Sequence, residues 1–312
     1  LVTVTFMTVI IGAYLIYAPK LYRLSKKYNF ITVGDFIQHR FQSTTLTVTI
    51  TIIAIIALGN YILTNLKAIG FIIVAATGGQ VSFAQGIIVL SLIMVIYETL
   101  GGMRSVAWTD MIQGVLLLLG VFLIFITIQS EYGGLAKASE QIQSLRPDFW
   151  NPPDWEGKRL WLSTIIIVFF GISVYPHAIQ RIYAARDEKT LRRSFQIMIF
   201  MPLVTTLFMI IVGIVGAAQI PGLDRQGSEQ ITLLLLNDLA QNIPAVSWLL
   251  VIFLSAAVAA IMSTVDSALL AISSLVTQDL YGKVKPESSQ SHLIKFGKIV
   301  SWLIMAGAVW LA

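Results

Sequence analysis

Residues 259–274 read Ala259-Ala-Ile-Met-Ser263-Thr264-Val-Asp266-Ser267-Ala-Leu-Leu-Ala-Ile-Ser273-Ser274. The run is apolar and long enough to cross a bilayer with its neighbours, yet it carries a carboxylate and several hydroxyls. Asp266 and Ser267 follow Ser263 by three and four positions, so all three fall on one face of a helix. Thr264 lies about 100° round the same turn. A carboxylate in hydrocarbon costs roughly 2.5–3.5 kcal/mol on insertion scales, so it demands an interior partner. Hard oxygen donors suit a hard cation such as sodium, and an aspartate can equally carry a proton. Ion handling is the first expectation.

Composition agrees with a membrane setting. Of the 312 residues, 56% are hydrophobic and 12% charged, about half the charge of a soluble domain; mean hydropathy is +0.81. The absence of cysteine excludes disulfides and thiolate metal sites. The net charge of +5 is no nucleic-acid signature, because the basic residues sit in alternate short loops. The chain opens at Leu1 and closes on Val309-Trp-Leu-Ala312, both within apolar runs, and is expected to be a fragment of a longer protein.

Apolar runs of about 17 or more residues predict spans near 1–18, 45–77, 84–101, 105–129, 159–175, 195–218, 246–281 and 293–312. The 246–281 segment exceeds one crossing and should project into the cytoplasm. Loops after the odd-numbered spans hold Lys20, Arg23, Lys26, Lys27 and Arg40, then Arg104, then Arg181, Arg186, Lys189, Arg192 and Arg193, then Lys283, Lys285, Lys295 and Lys298. The other loops hold only Lys137, Arg146, Lys158, Arg159 and Arg225. By the positive-inside rule the odd spans run inward and Leu1 starts outside. Thr32-Val-Gly-Asp35 is a capping-box pattern opening a short amphipathic helix that ends near Phe41. Gly134–Leu145 and Ser228–Asn242 read as amphipathic extracellular helices. Gly171-Ile-Ser-Val-Tyr-Pro176-His177 interrupts the fifth span; broken backbone at membrane depth is tolerated where protein or a wet cavity satisfies it, and such breaks commonly mark substrate sites. A plain helix end at Pro176 is the competing reading.

Three ordered motifs resemble those of the sodium:solute symporter family. Tyr97-Glu-Thr-Leu-Gly101-Gly102…Trp108-Thr109-Asp110-Met-Ile-Gln113 is similar to its Tyr-x-x-x-Gly-Gly…Trp-Thr-Asp-x-x-Gln signature. Pro176-His177-Ala-Ile-Gln-Arg181 with Ala184-Ala185-Arg186-Asp187 resembles its Pro-His-x-x-x-Arg…Ala-Ala-Arg-Asp loop. The opening stretch through Asp279-Leu280-Tyr281 resembles its Met-Ser-Thr…Asp-Leu-Tyr helix.

The resemblance implies an all-α membrane protein with an inverted-repeat core of five plus five helices. This chain would be a single transmembrane transporter domain, 1–312, incomplete: about eight spans matching the second to ninth core helices, the first absent and the C-terminal end truncated. It implies a secondary active transporter rather than an enzyme, with sodium-coupled symport of a small organic solute by alternating access. Na+ is the coupling ion, with no organic cofactor. The solute class is a carboxylate, amino acid or sugar, and the setting a lipid bilayer, the inner membrane of a bacterium.

The resemblance places sodium at the Ala260 carbonyl and the Ser263 and Thr264 hydroxyls, although such hydroxyls also back-bond to carbonyls in ordinary membrane helices. Asp110, Asp266 and Ser267, with Ser263, form a candidate second cation or proton site. Asp110 can instead complement its helix dipole, and Asp266 can serve a structural bond. Tyr97, Val168, Ile172 and Tyr175 are candidates for the substrate cavity; Val168 and Ile172 stand where relatives that bind small amino acids often carry aromatics. Lys67 is expected to snorkel outward, and His177 and His39 to be solvated. Two alternatives stay open: proton-coupled symport, and a sensor module built on the same core and joined to a histidine kinase.

Overall fold

The computed structural model describes residues 2–224, 227–228 and 230–312, and among them every regular element is helical. Leu1, Arg225, Gln226 and Glu229 lie outside the described residues, and with them the expected outer start of the chain, one loop charge and part of the start of the Ser228–Asn242 helix.

The first helix, α1 (Val2–Tyr28), ends in Lys26 and Lys27, cations that complement the negative end of its dipole. Asn29 then takes a left-handed conformation, and the Phe30 N–H donates to the Ser25 carbonyl, the capture of a late carbonyl that stops a helix. In α2 (Val33–Phe41) the expected capping box forms: the Asp35 N–H donates to Thr32 Oγ at 3.3 Å and the Thr32 N–H to Asp35 Oδ2 at 3.0 Å. Ser43 caps α3 (Thr44–Ala76). On α3 the residues Thr47, Thr51, Leu58, Ile62, Leu66 and Ile69 are buried along one stripe, while Lys67 is exposed, as snorkelling requires.

Two expected spans, 84–101 and 105–129, fall within α4 (Phe83–Tyr132), a 50-residue element. At 1.5 Å per residue a straight helix of that length would run about 75 Å, far beyond the roughly 30 Å hydrocarbon core. Gly102 breaks it with φ 56° and ψ −145°, a backbone region open essentially to glycine alone. After α5 (Gly134–Leu145) come α6 (Trp155–Gly171), α7 (Pro176–Ala184), α8 (Glu188–Met198), α9 (Met201–Gln219) and α10 (Ile231–Asn242). Then α11 (Pro244–Ser274) continues without a break into a π-helical stretch, Leu275–Tyr281, and α12 (Gln290–Leu311) closes the chain. Six helices among the described residues are long and apolar enough to cross a membrane: Thr44–Ala76, Phe83–Tyr132, Trp155–Val174, Glu188–Gln219, Pro244–Val284 and Gln290–Leu311. Their apolar side chains are largely exposed, none being buried in the most apolar window of Trp155–Val174; this is the surface that lipid covers.

The chain forms two compact units. One gathers residues 1–11, 114–169 and 197–257. Its core is Ile124, Ile128, Ile142, Val212, Val215, Leu235 and Leu236, every one nearly inaccessible; each buried aliphatic side chain contributes about 1.5–3 kcal/mol. Tyr132 donates to Asp238 Oδ2 at 2.7 Å and Gln219 to Gln141 Oε1 at 3.1 Å at its polar edge.

The other unit gathers 12–113, 170–196 and 258–312. Its polar anchor is Asp279, fully buried in the π-helical stretch. One carboxylate oxygen accepts from Thr32 Oγ at 2.6 Å and the other from Thr51 Oγ at 3.0 Å. Lys283 donates to Gln38 Oε1 at 2.9 Å beside it. All the chemistry-bearing clusters described below belong to this unit.

Candidate functional site

The polar face of α11 is occupied as its spacing requires. Ser263 Oγ donates to Asp110 Oδ1, and the Arg181 guanidinium donates both to Asp110 Oδ2 and to Ser267 Oγ. Ser267 Oγ in turn donates to the Ser263 carbonyl at 2.8 Å. Three helices therefore meet in one ionic cluster: α4 brings Asp110, α7 brings Arg181 and α11 brings the two serines. The Asp110 side chain is 13% exposed and that of Arg181 45%, so the carboxylate is sunk and its counter-charge reaches in from the more open side.

Asp266 does not join that cluster. Adjacent residues on a helix diverge by about 100°, so Asp266 and Ser267 cannot address one point. Asp266, fully buried, accepts a hydrogen bond from the Tyr97 hydroxyl at Oδ2, while its Oδ1 is buried with no hydrogen-bond partner. The expected grouping of Asp110, Ser263, Asp266 and Ser267 is thus divided. Arg181 pairs with Asp110, and Tyr97, expected in the substrate cavity, holds Asp266.

Of the expected sodium ligands, Thr264 Oγ lies 3.1 Å from the Ala260 carbonyl, to which it donates. The Tyr61 hydroxyl also reaches Thr264. Thr264 thus makes the back-bond to a carbonyl one turn earlier that ordinary membrane helices show, and the Ser263 hydroxyl is donated to Asp110.

The break after α6 is real. A short 3₁₀ turn, Ile172–Val174, follows Gly171, and Pro176 opens α7 with Tyr175 extended before it. The Ile172 carbonyl accepts from the Tyr175 N–H at 3.3 Å and also faces the hydroxyls of Tyr14 at 3.3 Å and Tyr17 at 3.5 Å, so the break is satisfied within the protein. Sequence reasoning passed over both tyrosines, because Tyr at i and i+3 in an apolar helix reads as packing. Of the four expected cavity residues, Ile172 and Tyr175 sit at this break. Tyr97 sits on Asp266. Val168, half-buried on α6, belongs to the other compact unit.

His177 departs from expectation. Rather than being solvated, its ring lies 5.0 Å from that of Tyr175 and 6.2 Å from that of Tyr61, centroid to centroid, with Nδ1 buried and unpartnered. Pro176 explains this, since starting a new helix there turns the next side chain back into the protein. Burial, reinforced by the Arg181 charge, lowers the His177 pKa to about 4, so the ring is neutral at ordinary pH. His39 is exposed and packs on Tyr28 and Phe30, at centroid distances of 4.0 and 5.5 Å.

A profile of the sodium:solute symporter family matches residues 1–312. The sodium/pantothenate symporter of Haemophilus influenzae is 29% identical over 294 residues, covering 93% of this chain and 59% of that protein. The osmoregulated proline transporter OpuE of Bacillus subtilis is 28% identical over 313 residues, covering 97% and 62%. A solved structure of a substrate-bound, outward-open Na+-coupled sialic acid symporter matches with a TM-score of 0.73 at 21% identity, over 99% of this chain and 71% of that one. That likeness establishes the fold. The chain spans about three-fifths of the length of these curated relatives.

Proposed function

The chain belongs to the sodium:solute symporter family, and on that premise we propose that it forms the ion-binding part of a secondary active transporter that couples sodium entry to uptake of a small organic solute. It is an integral, multi-pass membrane protein, and the bacterial relatives support placing it in the inner membrane of a bacterium. In this reading the protein is a carrier, not an enzyme, and moves its solute by alternating access.

The observation that carries the reading is the Asp110–Ser263 contact with Arg181 on the far carboxylate oxygen. Sodium held by the Ala260 carbonyl and the Ser263 and Thr264 hydroxyls would lie one hydroxyl away from Asp110. A half-buried carboxylate left without compensation is costly. When sodium departs inward past Asp110, Arg181 supplies the compensating charge, so the emptied site does not strand an anion. Ser263 is the shared element, since its hydroxyl can face the ion or the carboxylate but not serve both fully. The break at Ile172–Tyr175, with the Tyr14 and Tyr17 hydroxyls on the Ile172 carbonyl, supports a solute cavity with polar and aromatic walls there. This wall chemistry suits a solute with both polar and apolar parts.

The test is uptake by the intact protein in proteoliposomes under separate sodium and proton gradients, with a panel of carboxylates, amino acids and sugars. The reading expects sodium-driven accumulation, and a roughly tenfold higher half-saturating sodium concentration in Ser263→Ala and Thr264→Ala, a loss of about 1.4 kcal/mol of ion binding. Unchanged sodium dependence in both variants, or accumulation driven by protons alone, would remove the assignment.

A further inference from the structure

A polar cavity lies in the same compact unit, apart from the Asp110 cluster. Glu98 follows Tyr97 directly, so it faces about 100° away from the Tyr97–Asp266 contact. Its side chain is 3% exposed. Oε1 accepts from Ser301 Oγ at 3.0 Å, while Oε2 is buried with no hydrogen-bond partner. Among the described residues no lysine, arginine or histidine pairs with it. Beside it is a cavity of about 390 Å³, lined by Glu98, Ser273, Thr277, Gly297 and Ser301 among others.

The lining is built from two helix faces at one-turn spacing. Ser273, at the end of α11, and Thr277, in the π-helical stretch that continues it, are four apart, and Gly297 and Ser301 are four apart on α12. Ser273 Oγ donates to the Gly297 carbonyl at 2.7 Å. Thr277 Oγ is a second orphan, on a residue only 4% exposed. A methyl group on Gly297 would sit 3.2 Å from Thr277 Oγ and 3.4 Å from Ser273 Oγ, so the missing side chain keeps the space between these hydroxyls open. Thr277 also lies in the π-helical stretch, a distortion that recurs at functional sites.

Two orphaned oxygens on the walls of one cavity are each a cost of about 1–3 kcal/mol, more for an ionised carboxylate. One hard cation would satisfy both. The donors are all oxygen, which selects an alkali or alkaline-earth ion over a transition metal. The single carboxylate balances one positive charge, not two. Lys298 on the rim is exposed and forms no ion pair with Glu98.

We propose that Glu98, Thr277 and Ser301 form a binding site for a monovalent alkali cation, sodium, distinct from the one on the Ala260–Thr264 turn. Its existence does not depend on the coupling role assigned to Ser263 and Thr264.

The experiment is equilibrium binding of radioactive sodium to the purified intact protein in detergent, at a pH above the carboxylate range, with size-exclusion profiles checking the fold of each variant. Glu98→Gln should remove one bound sodium per protein, and the near-isosteric Thr277→Val should weaken that same ion roughly tenfold. Ser263→Ala with Thr264→Ala should leave it in place. Unchanged sodium stoichiometry and affinity in folded Glu98→Gln and Thr277→Val would overturn the proposal. It is equally overturned if Glu98→Gln alters only the pH dependence of stability, the mark of a carboxyl that takes a proton and no metal ion.

Discussion

Thr32 and Asp279 are 247 positions apart in the chain, yet the threonine hydroxyl donates to the buried carboxylate at 2.6 Å. The same Thr32 oxygen accepts from the Asp35 N–H that starts α2. One hydroxyl thus links a helix start to the π-helical end of the α11 column, and Thr51 closes the other carboxylate oxygen. Asp279→Ala would leave two hydroxyls unsatisfied in a dry site, at about 1–3 kcal/mol each. We expect a clear fall in the melting temperature of the detergent-solubilised protein, with faster proteolysis between α1 and α3. Gly34→Ala should act in the same direction, because a Cβ there would overlap the Asp279 carboxylate. A melting temperature unchanged in both variants would deny Asp279 its anchoring role.

Arg181 and Asp110 are joined across 71 positions, and the guanidinium also holds Ser267. If Arg181 competes with sodium for the neighbourhood of Asp110, Arg181→Gln should lower the half-saturating sodium concentration for uptake, about tenfold for a charge-pair change of 1.4 kcal/mol. Maximal uptake should fall at the same time, because the emptied carboxylate has lost its replacement charge. Uptake with a higher sodium requirement would show that Arg181 supports the ion instead of displacing it.

His177 supplies a pH prediction whose sign follows from its burial. With a folded pKa of about 4 against about 6.5 unfolded, the unfolded chain takes up the proton first as pH falls. Stability is therefore fully present above about pH 6.5 and declines towards pH 4, by roughly 3 kcal/mol in total. Melting temperatures measured across that window should fall for the natural protein and fall less for His177→Gln. Equal slopes would place the titrating group elsewhere.

What the sequence made legible was what local pattern controls. The Thr32/Asp35 capping box, the helix over Gly134–Leu145 and the break at Gly171–Pro176 each depend on residues within one or two turns of each other. Most of the membrane spans were legible for the same reason, since apolar length is a local property, although the expected 1–18 span is not among the six long apolar helices and 84–101 and 105–129 run together in α4. The partners of the polar side chains were not. Asp110 was legible as a candidate ion-site or helix-dipole carboxylate, but Arg181 reaches it from another helix along a flexible stem, and no spacing rule connects them. Asp266 was grouped with Asp110 because both are acidic and share a neighbourhood with Ser263, whereas 100° of helix rotation sends it to Tyr97. His177 read as a loop residue until Pro176 was seen to begin a helix. Tyr14, Tyr17 and Glu98 carried no signal, because their roles exist only once a distant carbonyl, hydroxyl or cavity is in place.

The Tyr97–Asp266 contact yields the last prediction, and it separates structure from transport. Asp266 already has one oxygen unpartnered, so Tyr97→Phe would strip the other and leave a fully buried carboxyl with no hydrogen bond at all. Removing one member of a buried pair costs more than replacing both by apolar groups of similar size. Tyr97→Phe should therefore lower stability by about 1–3 kcal/mol or more, and Tyr97→Phe with Asp266→Leu should recover much of it. Melting temperatures of the two single variants and the double variant form the cycle that measures this coupling. If the recovered double variant still accumulates solute under a sodium gradient, Asp266 is a packing residue and the ion path runs through Asp110 and Ser263. If it is stable but inactive, Asp266 itself takes part in coupling, and its unpartnered oxygen is the atom that does so.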